Sequence, residues 1–187
     1  MINIYLDTET TGLTKDNGVW QVAGLIYDND VWLESFNLEF APLPNEKINK
    51  VALKMSGMTE KELRGLQPSE KALAEFQKLL KRYINPFNKK DKAYMYGYNV
   101  RFDSDFLRRW FKKNNDPYFG AWFWFPPVDV MNSAAVFLKD RRHTMKNFKL
   151  KTVAIEIGVN IDDIDFHDAV SDALVTKKIN DLLSGEV

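Results

Sequence analysis

The stretch YLDTETTGL, Tyr5–Leu13, places two carboxylates, Asp7 and Glu9, at the end of a mostly apolar run from Ile2 to Leu6. The run reads as a strand, and the threonines and glycine after the acids have the composition of a turn. Carboxylates cost free energy where a strand enters a core. Residues i and i+2 of a strand point to the same side, so Asp7 and Glu9 face one point together. Taken alone, such a pair is more often an acidic turn than a site.

Working outward, Val19 to Tyr27 and Val31 to Phe40 read as two further strands joined at Asp28-Asn29-Asp30, a hairpin-like turn. The chain is therefore expected to open with three antiparallel strands. Ala41 to Lys50 is a connector, and a short helical piece is expected around Val51 to Met55. A longer amphipathic helix starts at Pro68, with Leu73, Phe76, Leu80 and Tyr83 on one face. Ala93 to Tyr98 is a fourth strand, running into a helix near Val100. Trp122 to Phe125 is predicted as the fifth strand, buried with one exposed Trp and stopped by Pro126-Pro127. Helical segments are expected over Val130 to Leu138, Phe148 to Ile157 and Asp168 to Leu183. This order is α/β and suits a mixed sheet with helices on both faces.

The 187 residues suit one domain over 1–187, with 45% hydrophobic and 28% charged residues and a formal net charge of zero. That balance argues against a generally basic nucleic-acid coat protein but leaves room for a local basic groove. The chain has no cysteine, which rules out disulfides and thiolate metal sites. No apolar run approaches a membrane span, and a strand beginning at residue 2 leaves no room for a secretion signal. The expectation is a cytoplasmic protein with no membrane partner.

Two further stretches put acids on inward faces. In YGYNVRFDSDFLRRW, Asn99 is the expected helix N-cap. Phe106, Leu107 and Trp110 form an apolar stripe that Asp103 precedes by three, four and seven residues, so Asp103 shares it. Asp105 falls off the stripe. A first-turn acid gains roughly 0.3–1 kcal/mol from the helix dipole, which does not explain an inward orientation. In DFHDAVSDALVTKKINDLL, Val175, Ile179 and Leu182 form the expected buried face, and Asp172 lies on it. Acids gathered in one place repel unless protonated or neutralised. Hard divalent cations prefer carboxylate oxygens, and four carboxylates suit two ions in a site open to a phosphate. Helical residues five apart differ in direction by about 140°, so His167 joins Asp172 only from the loop before the helix. There an imidazole has a pKa suited to taking a proton from water, or it serves as a helix-start hydrogen-bond partner.

Together these motifs, DTETTGL, NVRFD and HDAVSD, resemble the DnaQ-like (DEDDh) 3′→5′ exonucleases over nearly the whole chain. The resemblance implies an RNase H-like mixed five-stranded sheet. It also implies a site in which Asp7, Glu9 and Asp172 hold one metal and the nucleophilic water. Asp7 and Asp103 would serve a second metal, and His167 would be the general base. Two Mg²⁺ or Mn²⁺ ions and release of nucleoside 5′-monophosphates are the implied cofactors and product. For substrate contacts it points to Thr10, the wedge Leu13, Met58 in MSGMT, Asn99 and Phe102, though Phe102 suits core packing equally well. Tyr98 and Ser56 stand where the family often has histidine.

The basic stretch Lys139 to Lys151 suits either a solvated loop or a rim for the strand upstream of the scissile bond. His143, within it, suits a surface or phosphate contact. The expected function is a 3′→5′ exonuclease on single-stranded ends, DNA before RNA. An RNA or oligoribonucleotide exonuclease of the same superfamily is the alternative, and a non-catalytic nucleic-acid or polymerase-binding module is the third reading. The partners are a single-stranded 3′ end and, in a replication setting, a polymerase or another replication protein.

Overall fold

The computed structural model describes residues 1–162, 164, 166 and 168–185. Strand β1 (Ile2–Thr10) pairs antiparallel with β2 (Val19–Asp28), which pairs antiparallel with β3 (Val31–Glu39). Asn29, in the left-handed region at φ 51°, turns the chain between β2 and β3. On the other side β1 pairs parallel with β4 (Tyr94–Gly97), and β4 pairs parallel with β5 (Val128–Asp129). The five-stranded order is β3-β2-β1-β4-β5, so β1 lies at the centre with partners on both edges. This is the expected mixed RNase H-like sheet.

Alternation along β1 divides its side chains between two cores. Ile4 and Leu6 join Val22, Ile26, Phe76, Leu107 and Trp110 beneath α3 (Ser69–Leu80) and α4 (Val100–Lys113). The second core joins α5 (Val130–Phe137), α6 (Leu150–Ile157) and α7 (Ala169–Ser184) through Ala134, Val153, Val175 and Ile179. Tyr5 points to this second side, stacking on Tyr96 at 4.6 Å and accepting a hydrogen bond from Asn180 of α7 at 3.0 Å. Asp7 and Glu9 share the face of Tyr5 and therefore look toward α7.

The structure corrects four details. Trp122 to Phe125 is not the fifth strand: it contributes one parallel bridge, Phe123 to Ala93, and the paired segment comes after the two prolines. Trp122 and Phe123 are buried, and the exposed aromatic of that run is Phe125, not a tryptophan. The helix expected to reach Tyr83 ends at Leu80, and Tyr83 continues the packing from the following turns. Leu182 is exposed, while Val175 and Ile179 are buried as expected. An unforeseen helix, α2 (Glu60–Arg64), follows α1 (Lys50–Ser56), and a reciprocal capping box between Thr59 and Glu62 starts it. Among the described residues no helix is long and apolar enough to cross a membrane.

Candidate active site

The end of β1 is held from both sides. Toward α4, the Thr8 backbone N–H and hydroxyl both donate to Asp103 Oδ1, at 3.1 and 2.7 Å. Asp103 is 3% exposed, in the first turn of α4, so an acid read from the inward stripe does lie inside. Toward α7, Asp7 and Glu9 face the first turn containing Asp172. Asp168 caps that helix, accepting from the Ser171 backbone N–H at 2.9 Å and its hydroxyl at 2.8 Å. Three elements, β1, α4 and α7, thus bring the acids to one end of the sheet.

Their electrostatics record that crowding. Burial raises the Asp7 carboxyl well above its usual range, and the charges of Asp103, Asp172, Glu9 and Asp168 add to the effect. Glu9 is pushed up to about 7, first by burial and then by Asp172 and Asp168. Asp103 is also pushed up to about 7 by burial, against the opposing pull of its Thr8 hydrogen bonds and with a further push from Asp129. Such a group of acids holds its full negative charge at neutral pH only beside a cation. The donors are all carboxylate oxygens, the set a hard divalent ion prefers. Among the described residues, no group of three or more His, Asp or Glu side chains is placed closely enough to hold a metal ion.

Asp168 and Asp129 are the acids the sequence reading passed over. Both are helix N-caps: Asp129 Oδ1 accepts from the backbone N–H groups of Asn99 and Met131, each at 3.0 Å. The available signal was an acid directly before an expected helix. His167 lies outside the described residues.

Beside Glu9 opens a cleft of about 590 Å³ whose walls include Thr10, Leu13, Val51, Met55 and Phe102. Leu13 projects into solvent at its mouth, 83% exposed. Phe102 lines the cleft and also packs on Phe106 at 4.7 Å. Met58 is not part of the lining: it follows Gly57, φ 69°, which caps α1, and the methionine that lines the cleft is Met55 on the helix. Asn99 is exposed and away from the lining; it precedes α4 in the left-handed conformation, and its side chain makes no capping bond.

In the basic stretch, the Arg142 guanidinium lies over the Phe148 ring at 4.4 Å, and Arg141 donates to the Glu156 carbonyl at 2.7 Å. His143 is exposed. The Tyr98 hydroxyl donates to the Phe148 carbonyl at 2.7 Å, tying this stretch to the end of β4. Asp105 is exposed, 4.0 Å from Arg101.

Solved structures place this architecture. Escherichia coli exonuclease I in complex with a dT13 oligonucleotide superposes with a TM-score of 0.73 at 20% identity, over 98% of this chain and 41% of that one. Exonuclease I of Methylocaldum szegediense gives 0.74 at 17% identity, over 98% of this chain and 40% of the other. The fold is the RNase H-like fold of the DnaQ-like exonucleases. The exonuclease family's sequence model matches residues 4–180, and the chain belongs to that family. A PolC-type DNA polymerase III of Thermotoga petrophila is 27% identical over 180 residues, 94% of this chain and 11% of the polymerase. The chain thus spans about two-fifths of the exonuclease I chains and about a tenth of that polymerase.

Proposed function

We propose that residues 1–187 form one metal-dependent 3′→5′ exonuclease unit that removes nucleoside 5′-monophosphates from single-stranded DNA. The observation that carries this reading is the convergence of Asp7, Glu9, Asp103 and Asp172 beside an apolar cleft, with the Asp7, Glu9 and Asp103 carboxyl pKa values raised by burial and by neighbouring acids. DNA is favoured over RNA by the similarity to a DNA polymerase and to an exonuclease solved with a dT13 oligonucleotide. A single-stranded 3′ end is the substrate partner, and a polymerase or another replication protein is the proposed assembly partner.

Asp7, Glu9 and Asp172 would hold one Mg²⁺ or Mn²⁺ ion, with Asp7 and Asp103 serving a second. When bound, such ions supply Lewis-acid stabilisation of phosphoryl charge and acidify water. The chain's own side chains do the rest. The cleft receives the terminal nucleotide, and Leu13 inserts against its base. Thr10 offers a donor along the backbone of the turn. The His167 imidazole takes the proton of the attacking water as its oxygen bonds to phosphorus. The bond from phosphorus to the 3′ oxygen breaks with its electron pair going to that oxygen, which takes up a proton from solvent and leaves as a hydroxyl, while His167 gives its proton back to solvent.

The test uses 5′-labelled single-stranded DNA, single-stranded RNA and duplex, with and without Mg²⁺ or Mn²⁺. The expected result is a ladder shortening from the 3′ end of DNA, abolished by EDTA and by Asp172→Ala. Shortening from the 5′ end, or cleavage indifferent to chelation, overturns the reading. Preferential shortening of RNA would move the substrate to the ribonucleotide alternative.

A further inference from the structure

Asn17, which no motif singled out, joins the two walls of the nucleotide cleft. Its side chain is buried, 6% exposed, and all four of its hydrogen-bonding positions are used. Oδ1 accepts from the Thr14 backbone N–H at 2.9 Å and the Thr14 hydroxyl at 2.8 Å. Nδ2 donates to the Thr11 carbonyl at 3.2 Å and the Lys47 carbonyl at 2.8 Å. The first pair fixes the turn that presents Leu13. The second reaches the segment that leads into α1, the wall carrying Val51 and Met55.

The neighbouring contacts run the same way. The Thr11 hydroxyl also donates to the Lys47 carbonyl, at 2.7 Å, and the Asn49 backbone N–H donates to the Thr11 carbonyl at 2.8 Å. Asn49 then caps α1 through Val51 N–H at 2.8 Å. Gly12, at φ +150°, lies flat against the carboxamide: a Cβ there would stand 2.6 Å from Asn17 Cγ. The glycine of DTETTGL is thus required partly by Asn17, whose amide occupies the space a side chain would need.

A buried asparagine inside a turn is ordinarily a plug for backbone groups. This one differs because it lines the cleft itself and its two ends hold opposite walls. We propose that Asn17 is a positioning residue that sets the separation between the Leu13 turn and α1, and so governs binding of the terminal nucleotide without touching the chemistry. The proposal rests on the exonuclease reading of the cleft.

Asn17→Asp is the informative variant, because the carboxylate keeps the shape and both acceptor bonds to Thr14. It lacks the N–H groups for Thr11 and Lys47 and sets a negative charge against two carbonyls. Asn17→Ala removes both sets of bonds. With a single-stranded oligo-dT substrate, both are expected to raise KM about tenfold while kcat stays within about twofold. Backbone hydrogen exchange should quicken over 49–55 in both, and over 11–16 more in Asn17→Ala than in Asn17→Asp. A purely structural asparagine would reduce the active fraction, lowering kcat with KM unchanged, and that result overturns the proposal. Unchanged exchange over 49–55 also overturns it. Should Asn17→Ala fail to fold, the near-isosteric Asn17→Asp carries the same test. If the unaltered protein neither hydrolyses nor binds oligo-dT, it is the exonuclease reading that falls, and exchange in the variants still reports whether Asn17 couples the walls.

Discussion

Replacing Glu9 with glutamine should make the metal-free protein more stable at pH 8. Glu9 is half-buried, and burial with the charges of Asp172 and Asp168 moves its carboxyl from 4.5 to about 7. A raised carboxyl pKa means that the folded state binds more protons than the unfolded state between those values. Stability therefore falls as pH rises through this window. Above pH 7 the shift corresponds to a penalty of about 3 kcal/mol. Glu9→Gln removes the charge and with it the penalty. For a chain of this length, 1 kcal/mol moves Tm by about 2–4 °C, so the variant should melt roughly 6–12 °C higher in EDTA at pH 8. At pH 5 the folded wild type is already protonated at Glu9, and the gap should shrink to under about 1 kcal/mol. Excess Mg²⁺ or Mn²⁺ at pH 8 should raise the melting temperature of the wild type more than that of the variant, because ligand binding stabilises only the fold that holds it. Thermal melting followed by circular dichroism at both pH values, with EDTA or metal, reads every arm. A variant less stable than wild type at pH 8, or a gap that does not change with pH, refutes the electrostatic account of the site.

Three more perturbations probe separate parts of the site. Thr8→Val removes the hydroxyl that donates to Asp103 at 2.7 Å. A hydrogen bond to a charged group contributes about 1.5–3 kcal/mol, so the half-saturating Mg²⁺ concentration for activity should rise by about tenfold or more. An unchanged metal titration would show that this grip does not matter. Leu13→Ala deletes an exposed side chain at the cleft mouth and should raise KM for oligo-dT about tenfold while leaving Tm unchanged. A normal KM would remove Leu13 from substrate binding. Asp105→Ala changes an exposed acid two residues from Asp103 and should retain activity within about twofold. A large loss would mean that the inward stripe was assigned to the wrong aspartate.

Legibility varied with the length of the local pattern. The apolar stripe of α4 spans three turns, so it separated buried Asp103 from exposed Asp105 without coordinates. Helix α2 has five residues, too few for a period to register, and only its capping box announced it. The run Trp122 to Phe125 has the composition of a strand, yet its neighbour pairs instead with Val128–Asp129. Sheet register is settled by which backbone lies beside β4, and composition does not carry that information. On α7, Lys177 is buried beneath Tyr27, with its ammonium 4.8 Å from the ring and paired to Asp181. Leu182 stays out in solvent, an inversion that depends on what packs across the helix.

The linear order of residues by itself determined the α/β class, the three antiparallel strands that open the chain, and the acids that turn inward, because each follows from periodicities of two or 3.6 residues. Only the tertiary structure decided the depth at which those acids lie, the added charge of the capping residues Asp168 and Asp129, the placing of Met55 in the cleft, and the tie made by Asn17. Those features arise where segments far apart in the chain meet, and the energy of such a meeting depends on distance and burial that no local spacing encodes.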